Sequence, residues 1–176
     1  KLFQATTSIK KCIDFSDTIF IFLATPSLKN GFYDHSQIEN VAAQLIKTGK
    51  PDKLKQLIIC CTVMPTYCDS LQSKLADYNY QVSYNPEFIA QGSIVDDLQN
   101  PDIVLIGEAD KSSGDRIKKI YQQFVNNKPI FHHMNRTEAE IIKIGLNCFL
   151  TTKIAFANMI GDIAISSNCD PISILK

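Results

Sequence analysis

Short apolar runs alternate with helical patterns over the first 135 residues of the chain. Five runs are typical of strands, at residues 17–23, 57–61, 81–84, 103–106 and 129–132. Between them, apolar residues recur at the three- and four-residue spacing of amphipathic helices, at 36–49, 68–75 and 112–125. This alternation indicates parallel βαβ units with helices on both faces of a sheet. We therefore predict an α/β fold in which the first two strands are buried on both faces.

Two helix starts are suggested by capping residues. Ser36 and Glu39 have the spacing of a capping box, and Gly49 follows the last apolar position of the same helix. Ser112 or Ser113 is expected to cap the helix that follows the fourth strand.

From Thr137 the pattern changes to one uninterrupted helix that reaches about Ser166, without proline. At 1.5 Å per residue this helix is about 45 Å long. Its apolar positions cover more than one side, so it needs partners on several sides. We predict a domain-linking helix that packs against another domain, a second subunit, or both, and a domain boundary between residues 1–135 and 136–176.

Polar residues follow three of the predicted strands at the point where each strand ends. Thr25 and Pro26 follow the first strand, Thr62 follows the second, and Asn85 begins the segment after the third. Ligands of open parallel sheets bind at the carboxyl ends of the strands. We expect these residues to gather on one rim.

Glu87 is the carboxylate that this rim would use. Pro86 constrains the chain before it, and Phe88, Ile89 and Ala90 follow it at once. Burial beside apolar groups disfavours a charged carboxylate, which is how a glutamate becomes a base useful near neutral pH. The alternative is an ordinary turn glutamate in solvent.

Lys143 and Asn147 lie four residues apart and so project from the same side of the long helix. A lysine at such a position is usually solvated. In a pocket with Glu87, these two side chains would instead hold a substrate oxygen or stabilise an oxyanion. Thr62 would hold a water molecule or a cofactor group, or it is simply a threonine at the end of a strand.

The composition is that of a soluble globular protein, with 45% hydrophobic residues and 18 basic residues against 18 acidic ones. Without a basic block, a nucleic-acid surface is not expected. No apolar run approaches the roughly 20 residues of a membrane span, and the first 20 residues lack signal-peptide features, so we expect a cytoplasmic protein without a membrane partner. The six cysteines show no metal-ligand spacing and are expected to be free thiols. His132 and His133 are not expected to form a metal site or a general base.

Four motifs in one order resemble those of the UDP-glucose/GDP-mannose dehydrogenase family. Residues 17–27 resemble a strand that ends in Thr-Pro, and 61–65 resemble a Ser-Thr-Val-Pro-Pro segment. The Asn-Pro-Glu-Phe block at 85–92, with Asn100-Pro101 and Gly107 behind it, resembles the most distinctive block of the family. Residues 140–150 resemble the helix that carries a Lys and an Asn.

The resemblance implies that residues 1–135 are the later part of a Rossmann-like NAD-binding domain. Residues 136–176 would be the start of a central helical domain. It implies oxidation of the C6 alcohol of a nucleotide sugar to the uronic acid, with reduction of two NAD. UDP-glucose is the nucleotide sugar that the resemblance favours. A homodimer or higher homo-oligomer would form through the long helix.

The same resemblance implies the role of each site residue. Glu87 would be the base or water-activating carboxylate, Lys143 and Asn147 would stabilise the oxyanion, and Thr62 would hold water beside the cofactor. The substrate would also contact Phe88, Ile89, Ala90 and Gln91. The cofactor would contact Thr25, Pro26, Thr62 and Gln91.

The chain departs from the family at several points. The glycine-rich phosphate loop and the nucleophilic cysteine of the family are not found in residues 1–176, so we expect an internal fragment that is inactive alone. Gln91 stands where the family often has an acidic residue, and Met64, Thr66 and Tyr67 replace the usual Pro-Gly-Thr. Two alternatives stay open: a non-catalytic nucleotide-sugar-binding module, and an enzyme related to β-hydroxyacid dehydrogenases, which the Asn-Pro-Glu-Phe block disfavours.

Overall fold

The computed structural model describes residues 3–89 and 92–176, which contain five strands and seven α-helices. The strands are β1 (Thr18–Ile21), β2 (Lys55–Ile59), β3 (Tyr80–Tyr84), β4 (Ile103–Glu108) and β5 (Ile130–Asn135). The helices are α1 (Ile9–Phe15), α2 (Ser36–Thr48), α3 (Tyr67–Leu75), α4 (Ile94–Gln99), α5 (Lys111–Tyr121), α6 (Arg136–Ser166) and α7 (Pro171–Leu175). A short 3-10 turn, Ala76–Tyr78, precedes β3. The alternation predicted from the sequence is confirmed, whereas α1, α4 and α7 were not predicted.

The strands form one sheet in the order β1-β2-β3-β4-β5, and the sheet is mostly parallel. β1, β2 and β3 run parallel to one another, and β4 runs parallel to β5. β3 meets β4 in an antiparallel sense, through the pair Tyr84 and Gly107. The prediction of parallel units throughout is therefore wrong at this junction, because hydrophobic periodicity does not reveal strand direction.

Each face of the sheet carries its own hydrophobic core, and β2 contributes to both. Leu57 and Ile59 point into a core shared with α2 and α3, while Ile58 and Cys60 point into one shared with α5. All five residues of β2 are buried, as predicted. β1 is only half-buried, contrary to prediction, because it is an edge strand that pairs with β2 alone among the described strands.

The helix ends differ from the predicted caps. His35 is the N-cap of α2 and makes no capping bond with its side chain, while Glu39 bonds to Tyr67 and Lys74 instead of closing a capping box. The reciprocal capping box lies at α5, where Asp110 is the N-cap and Ser113 its partner. The predicted capping box is wrong because the Glu39 carboxylate bonds to side chains of α3 and not to a backbone N–H at the start of α2.

Gly107 allows three elements to meet at the antiparallel junction. A Cβ atom built there would lie 2.9 Å from the Arg136 Cα, 3.0 Å from the Tyr84 Cβ and 3.1 Å from the Ala139 Cβ. These neighbours belong to β3 and to the first turn of α6, and none is the flexible end of a side chain. Only glycine fits this position without displacing backbone.

The chain divides into two compact units, residues 1–141 and 142–176. Helix α6 spans the division, and its 31 residues confirm the predicted long helix. The predicted division by function at 135/136 stays a prediction. In the second unit α7 lies against α6 near Gly161, where a Cβ atom built on the glycine would lie 3.9 Å from side-chain atoms of Leu175 and Pro171. Large apolar side chains of α6 are exposed in that unit: Ile142, Phe149, Leu150, Ile154, Phe156, Met159, Ile163 and Ile165.

By length and composition alone, α6 could cross a membrane, since its best 18-residue window has a mean hydropathy of 1.4. The expectation that no segment reaches membrane length is wrong by this measure, because it counted uninterrupted apolar runs, and polar residues such as Asn147, Thr151 and Lys153 interrupt them in α6. Core helices of soluble proteins pass the same test, so a protein without a membrane partner stays a prediction. All six cysteines are free thiols, as predicted.

Candidate functional site

The carboxyl ends of β1, β2 and β3 form one rim of the sheet. Backbone hydrogen bonds extend the parallel ladders past the strand ends: the Cys60 N–H donates to the Ile21 oxygen at 3.0 Å, and the Glu87 N–H donates to the Cys60 oxygen at 3.3 Å. Thr62 and Glu87 are therefore on adjacent chain segments at the same end of the sheet. The predicted rim is present in the first unit.

Glu87 leaves β3 along a buried path. Tyr84, Asn85 and Pro86 are buried, and Glu87 itself is half-buried. The Asn85 N–H donates to the Ile59 oxygen at 2.9 Å, so backbone bonds hold the chain on both sides of Pro86, which has no N–H to donate. Glu87 is thus a half-buried carboxylate whose backbone N–H is hydrogen-bonded, and not a glutamate fully in solvent.

The charge of Glu87 acts on two neighbouring groups, the buried Cys60 thiol and the half-buried Tyr121 hydroxyl. Burial raises the pKa of the Cys60 thiol well above its usual range, and the charge of Glu87 makes a smaller contribution of the same sign. Burial also raises the pKa of the Tyr121 hydroxyl, and Glu87 makes a smaller contribution of the same sign. Both groups therefore stay protonated beside the carboxylate, and neither is a nucleophile near neutral pH.

Phe88 and Ile89, the next residues of the predicted substrate contact, are half-buried, and Phe88 packs against the core shared by α2 and α3. Ala90 and Gln91, which the sequence assigns to the substrate and in the case of Gln91 also to the cofactor, lie outside the described residues. Their predicted contacts stay predictions.

Thr62 is half-buried and begins the loop that leads into α3. The far end of this loop is held by Glu140, a carboxylate of α6 with an exposed fraction of 0%. Its two oxygens accept the Thr66 N–H at 2.6 Å and the Cys68 N–H at 2.7 Å. Burial raises the pKa of Glu140, while these N–H donors act in the opposite direction. The carboxylate also satisfies N–H groups at the start of α3, where a helix favours negative charge.

Thr66 adopts a left-handed backbone conformation, with φ of 71°. A β-branched residue rarely adopts it, and strained residues of this kind persist only where surrounding contacts hold them. Here the short bond to Glu140 supplies such a contact.

His35 holds the middle of the same loop. Its Nε2 atom accepts the Met64 N–H at 3.3 Å, and its ring lies 4.0 Å from the Tyr67 ring. The Tyr67 hydroxyl in turn donates to Glu39 at 2.9 Å. Burial lowers the pKa of His35, although Glu39 and Asp34 oppose this. An unprotonated Nε2 is also what the hydrogen bond from Met64 requires.

Thr25 and Pro26 begin a loop that turns back on itself beyond β1. Thr25 is half-buried, Pro26 is exposed, and the Pro26 oxygen accepts the Asp34 N–H at 2.9 Å. Ser27 and Tyr33 form an isolated antiparallel bridge that closes the loop. The predicted cofactor residues Thr25, Pro26 and Thr62 therefore follow the carboxyl ends of the neighbouring strands β1 and β2, and their contact with a cofactor stays a prediction.

Lys143 and Asn147 belong to the second unit. They lie one turn apart on α6, and the backbone oxygen of Asn147 accepts the Thr151 hydroxyl at 2.9 Å. Their predicted placement on one side of this helix follows from the helix itself. Their action on a substrate held by Glu87 stays a prediction.

Three residues that support the rim were not identified from the sequence: His35, Glu140 and Tyr121. His133, which was not expected to act as a base, pairs with Glu108, with 2.9 Å between Nδ1 and Oε2. Among the described residues, no three metal-ligating side chains cluster.

A half-buried threonine and a half-buried carboxylate at the ends of neighbouring parallel strands suit a ligand that carries hydroxyl and amide groups. Thr25, Pro26 and Thr62 are the residues that could line a dinucleotide here, and this assignment stays a prediction. The residues present therefore fit NAD, whose phosphate groups would need donors from elsewhere.

A family model described as the UDP-glucose/GDP-mannose dehydrogenase family, NAD binding domain, matches residues 1–125. The chain is 32% identical to a GDP-mannose 6-dehydrogenase of Pseudomonas aeruginosa over 95% of this chain and 40% of that protein. It is 32% identical to a UDP-glucose 6-dehydrogenase of Rickettsia bellii over 88% of this chain and 36% of that protein. The solved structure of a GDP-mannose dehydrogenase from Pseudomonas aeruginosa matches with a TM-score of 0.84 and 28% identity, over 97% of this chain and 40% of that one. The chain thus spans about 40% of the length of these relatives.

Proposed function

The chain belongs to the UDP-glucose/GDP-mannose dehydrogenase family and carries sequence of its NAD-binding domain, and we propose that the complete protein is a nucleotide-sugar 6-dehydrogenase. By "complete protein" we mean this chain together with any sequence that flanks it naturally. We propose UDP-glucose as its preferred substrate. The observation that carries the proposal is the rim, where Thr25, Thr62 and Glu87 follow three adjacent parallel strands.

The reaction converts the C6 alcohol to a carboxylate in two oxidations. One alcohol, one water and two NAD⁺ give one carboxylate, two NADH and three protons. NAD, when bound, supplies the acceptor for one hydride in each oxidation. The residues of this chain therefore have to bind the sugar, hold a water molecule and accept protons.

Glu87 is the residue we assign to proton transfer. Its half-buried position suits a carboxylate that accepts a proton from the C6 hydroxyl in the first oxidation, or from the water that later releases the acyl group from the nucleophilic cysteine. Thr62 holds that water beside the cofactor, and Thr25 and Pro26 lie against the cofactor. Phe88, Ile89, Ala90 and Gln91 contact the sugar nucleotide, and Gln91 also contacts the cofactor.

Lys143 and Asn147 are the residues we assign to the C6 oxygen. A lysine ammonium and an asparagine amide one helical turn apart can both donate to a single oxyanion. The covalent chemistry of the second oxidation requires a nucleophilic cysteine from outside residues 1–176.

We also propose that two or more copies associate through α6. Eight large apolar side chains are exposed on its part of the second unit, more than a soluble monomer usually leaves to water. A homodimer or higher homo-oligomer in the cytoplasm would bury them. Sedimentation of the complete protein tests this, since a monomer at micromolar concentration would contradict it.

The test of the activity is NAD reduction by the complete protein with UDP-glucose and with GDP-mannose. We expect two NADH per sugar oxidised, and we expect Glu87→Gln to lower kcat about 10²- to 10⁴-fold, as loss of a general base does. Glu138→Gln, which removes an exposed carboxylate outside the rim, is the matched control. Binding of UDP-glucose in a calorimeter without any turnover would instead indicate a non-catalytic binding module.

A further inference from the structure

Asn85 lies at the end of a hydrogen-bond chain that begins on α5. The Tyr121 hydroxyl donates to the Asn85 Oδ1 at 2.8 Å, and the Asn85 Nδ2 donates to the Leu105 oxygen at 2.8 Å. Its backbone N–H donates to Ile59. With an exposed fraction of 1%, Asn85 therefore joins β2, β4 and α5 at one buried point.

The orientation of this amide is determined by its two partners. A backbone carbonyl can only accept, so the Nδ2 must face Leu105 and the Oδ1 must face Tyr121. Burial raises the pKa of Tyr121, so its hydroxyl is protonated and can donate. Without that hydroxyl, the Oδ1 would be a buried acceptor with its partner removed, and such a group is costly to leave in place.

Helix α5 is held firmly enough to act as a support. At its start, the buried Gln56 side chain of β2 donates to the backbone oxygen of Ser113 at 3.0 Å. At its end, the Tyr121 ring lies 5.1 Å from the Phe124 ring and 6.4 Å from the Phe131 ring. The hydroxyl is therefore presented to Asn85 by a helix that is anchored at both ends.

We propose that Tyr121 is a positioning residue for Glu87, which it holds in place through the side chain of Asn85. Only Pro86 separates Asn85 from Glu87, and proline transmits a shift because its φ is fixed. A misplacement of about 1 Å at a reacting group costs up to about 10²-fold in rate. The inference rests on the proposed role of Glu87 in the oxidation.

The test compares Tyr121→Phe in two backgrounds of the complete protein, wild type and Glu87→Gln. The substitution removes one oxygen and keeps the ring in its aromatic cluster. In the wild-type background we expect kcat to fall about tenfold while the KM for NAD changes less than twofold. In the Glu87→Gln background, the residual kcat should change less than twofold, because the residue being positioned has lost its function.

Tyr78→Phe is the matched control. Tyr78 lies before β3, at the opposite end of that strand from Asn85, and its loss of a hydroxyl should leave kcat unchanged. Should Tyr121→Phe not fold, Asn85→Ser removes the acceptor from the other side and carries the same expected rates.

Two results would overturn the inference. Tyr121→Phe could leave kcat unchanged, or it could lower kcat by the same factor in both backgrounds, which would mean that Tyr121 acts independently of Glu87. A Glu87→Gln variant with wild-type turnover is a different outcome. It contradicts the proposed role of Glu87 itself and removes the premise of the positioning role.

Discussion

Replacing Glu140 by glutamine tests whether a single buried carboxylate holds the loop between β2 and α3. The carboxylate is inaccessible to solvent and accepts two backbone N–H groups, from Thr66 at 2.6 Å and from Cys68 at 2.7 Å. Glutamine has one oxygen where the carboxylate has two. In the variant one N–H keeps its acceptor, and the other faces an NH2 group that cannot accept.

The magnitude follows from these contacts. A hydrogen bond to a charged group contributes about 1.5–3 kcal/mol, and a buried N–H left without a partner costs about 1–3 kcal/mol. Loss of the negative charge at the start of α3 removes a further 0.3–1 kcal/mol or so. Burying a neutral amide costs less than burying a charge, which offsets part of the loss. We expect a net local destabilisation of about 2 kcal/mol, which corresponds to roughly 30-fold faster opening.

Hydrogen exchange measures this effect at the two amides concerned. In the complete protein at neutral pH, a peptide that covers residues 62–70 should exchange about 30-fold faster in Glu140→Gln than in wild type. Glu138→Gln removes the same charge two residues earlier, where the carboxylate is exposed and accepts only the Asn135 N–H among the described bonds. Equal exchange of residues 62–70 in wild type and Glu140→Gln would refute the reasoning.

Three further substitutions test other parts of the first unit, and Gly145→Ala in the second unit serves as a control for one of them. In a urea titration, Gly107→Ala should destabilise the protein by about 1–3 kcal/mol, the usual effect of overpacking, because its Cβ would lie 2.9 Å from the Arg136 Cα. Gly145→Ala adds an atom with nothing within 4 Å, so the same titration should show a stabilisation of up to about 1 kcal/mol. Thr66→Gly should be stabilising by about 0.5–1 kcal/mol, because glycine adopts a φ of 71° without strain, and no gain relative to Thr66→Ala would contradict the strain argument. The pKa of His35 is lowered in the folded state, so its contribution is complete above about pH 6.5, its unfolded value, and is lost as the pH falls below that. Urea midpoints should therefore fall more on acidification in wild type than in His35→Gln, and parallel midpoints would show that His35 has no such effect.

The strand ends of the candidate site could be predicted because they depend on local patterns. The apolar run before Thr62 and the proline before Glu87 are adjacent in sequence to the residues they position, and both predictions needed only the rule that parallel strands end at one rim. The supports of the site could not be predicted in this way. Met64 and His35 are 29 residues apart, Tyr121 and Asn85 are 36 apart, and Thr66 and Glu140 are 74 apart.

Each of these supporting residues also has an ordinary local interpretation. Tyr121 continues the apolar side of α5, and Glu140 is a charged residue in a helix, where most are solvated. The direction of β4 was missed for a similar reason, because a strand has the same periodicity in both directions. A local sequence pattern does not identify a partner that is distant along the chain.

The single bridge between Tyr84 and Gly107 bears on the order in which the first unit assembles. It divides the sheet into two ladders, one built by residues 18–84 and the other by residues 103–135, and each ladder is made of neighbouring parts of the sequence. During synthesis, the first ladder can complete its backbone pairing before β4 has left the ribosome. The two ladders then join along a seam formed by the pair Tyr84 and Gly107 and by the bond from Asn85 to Leu105, and Glu87 follows Asn85 by two residues. We therefore expect the rim to acquire its final geometry late in folding, after both ladders have formed.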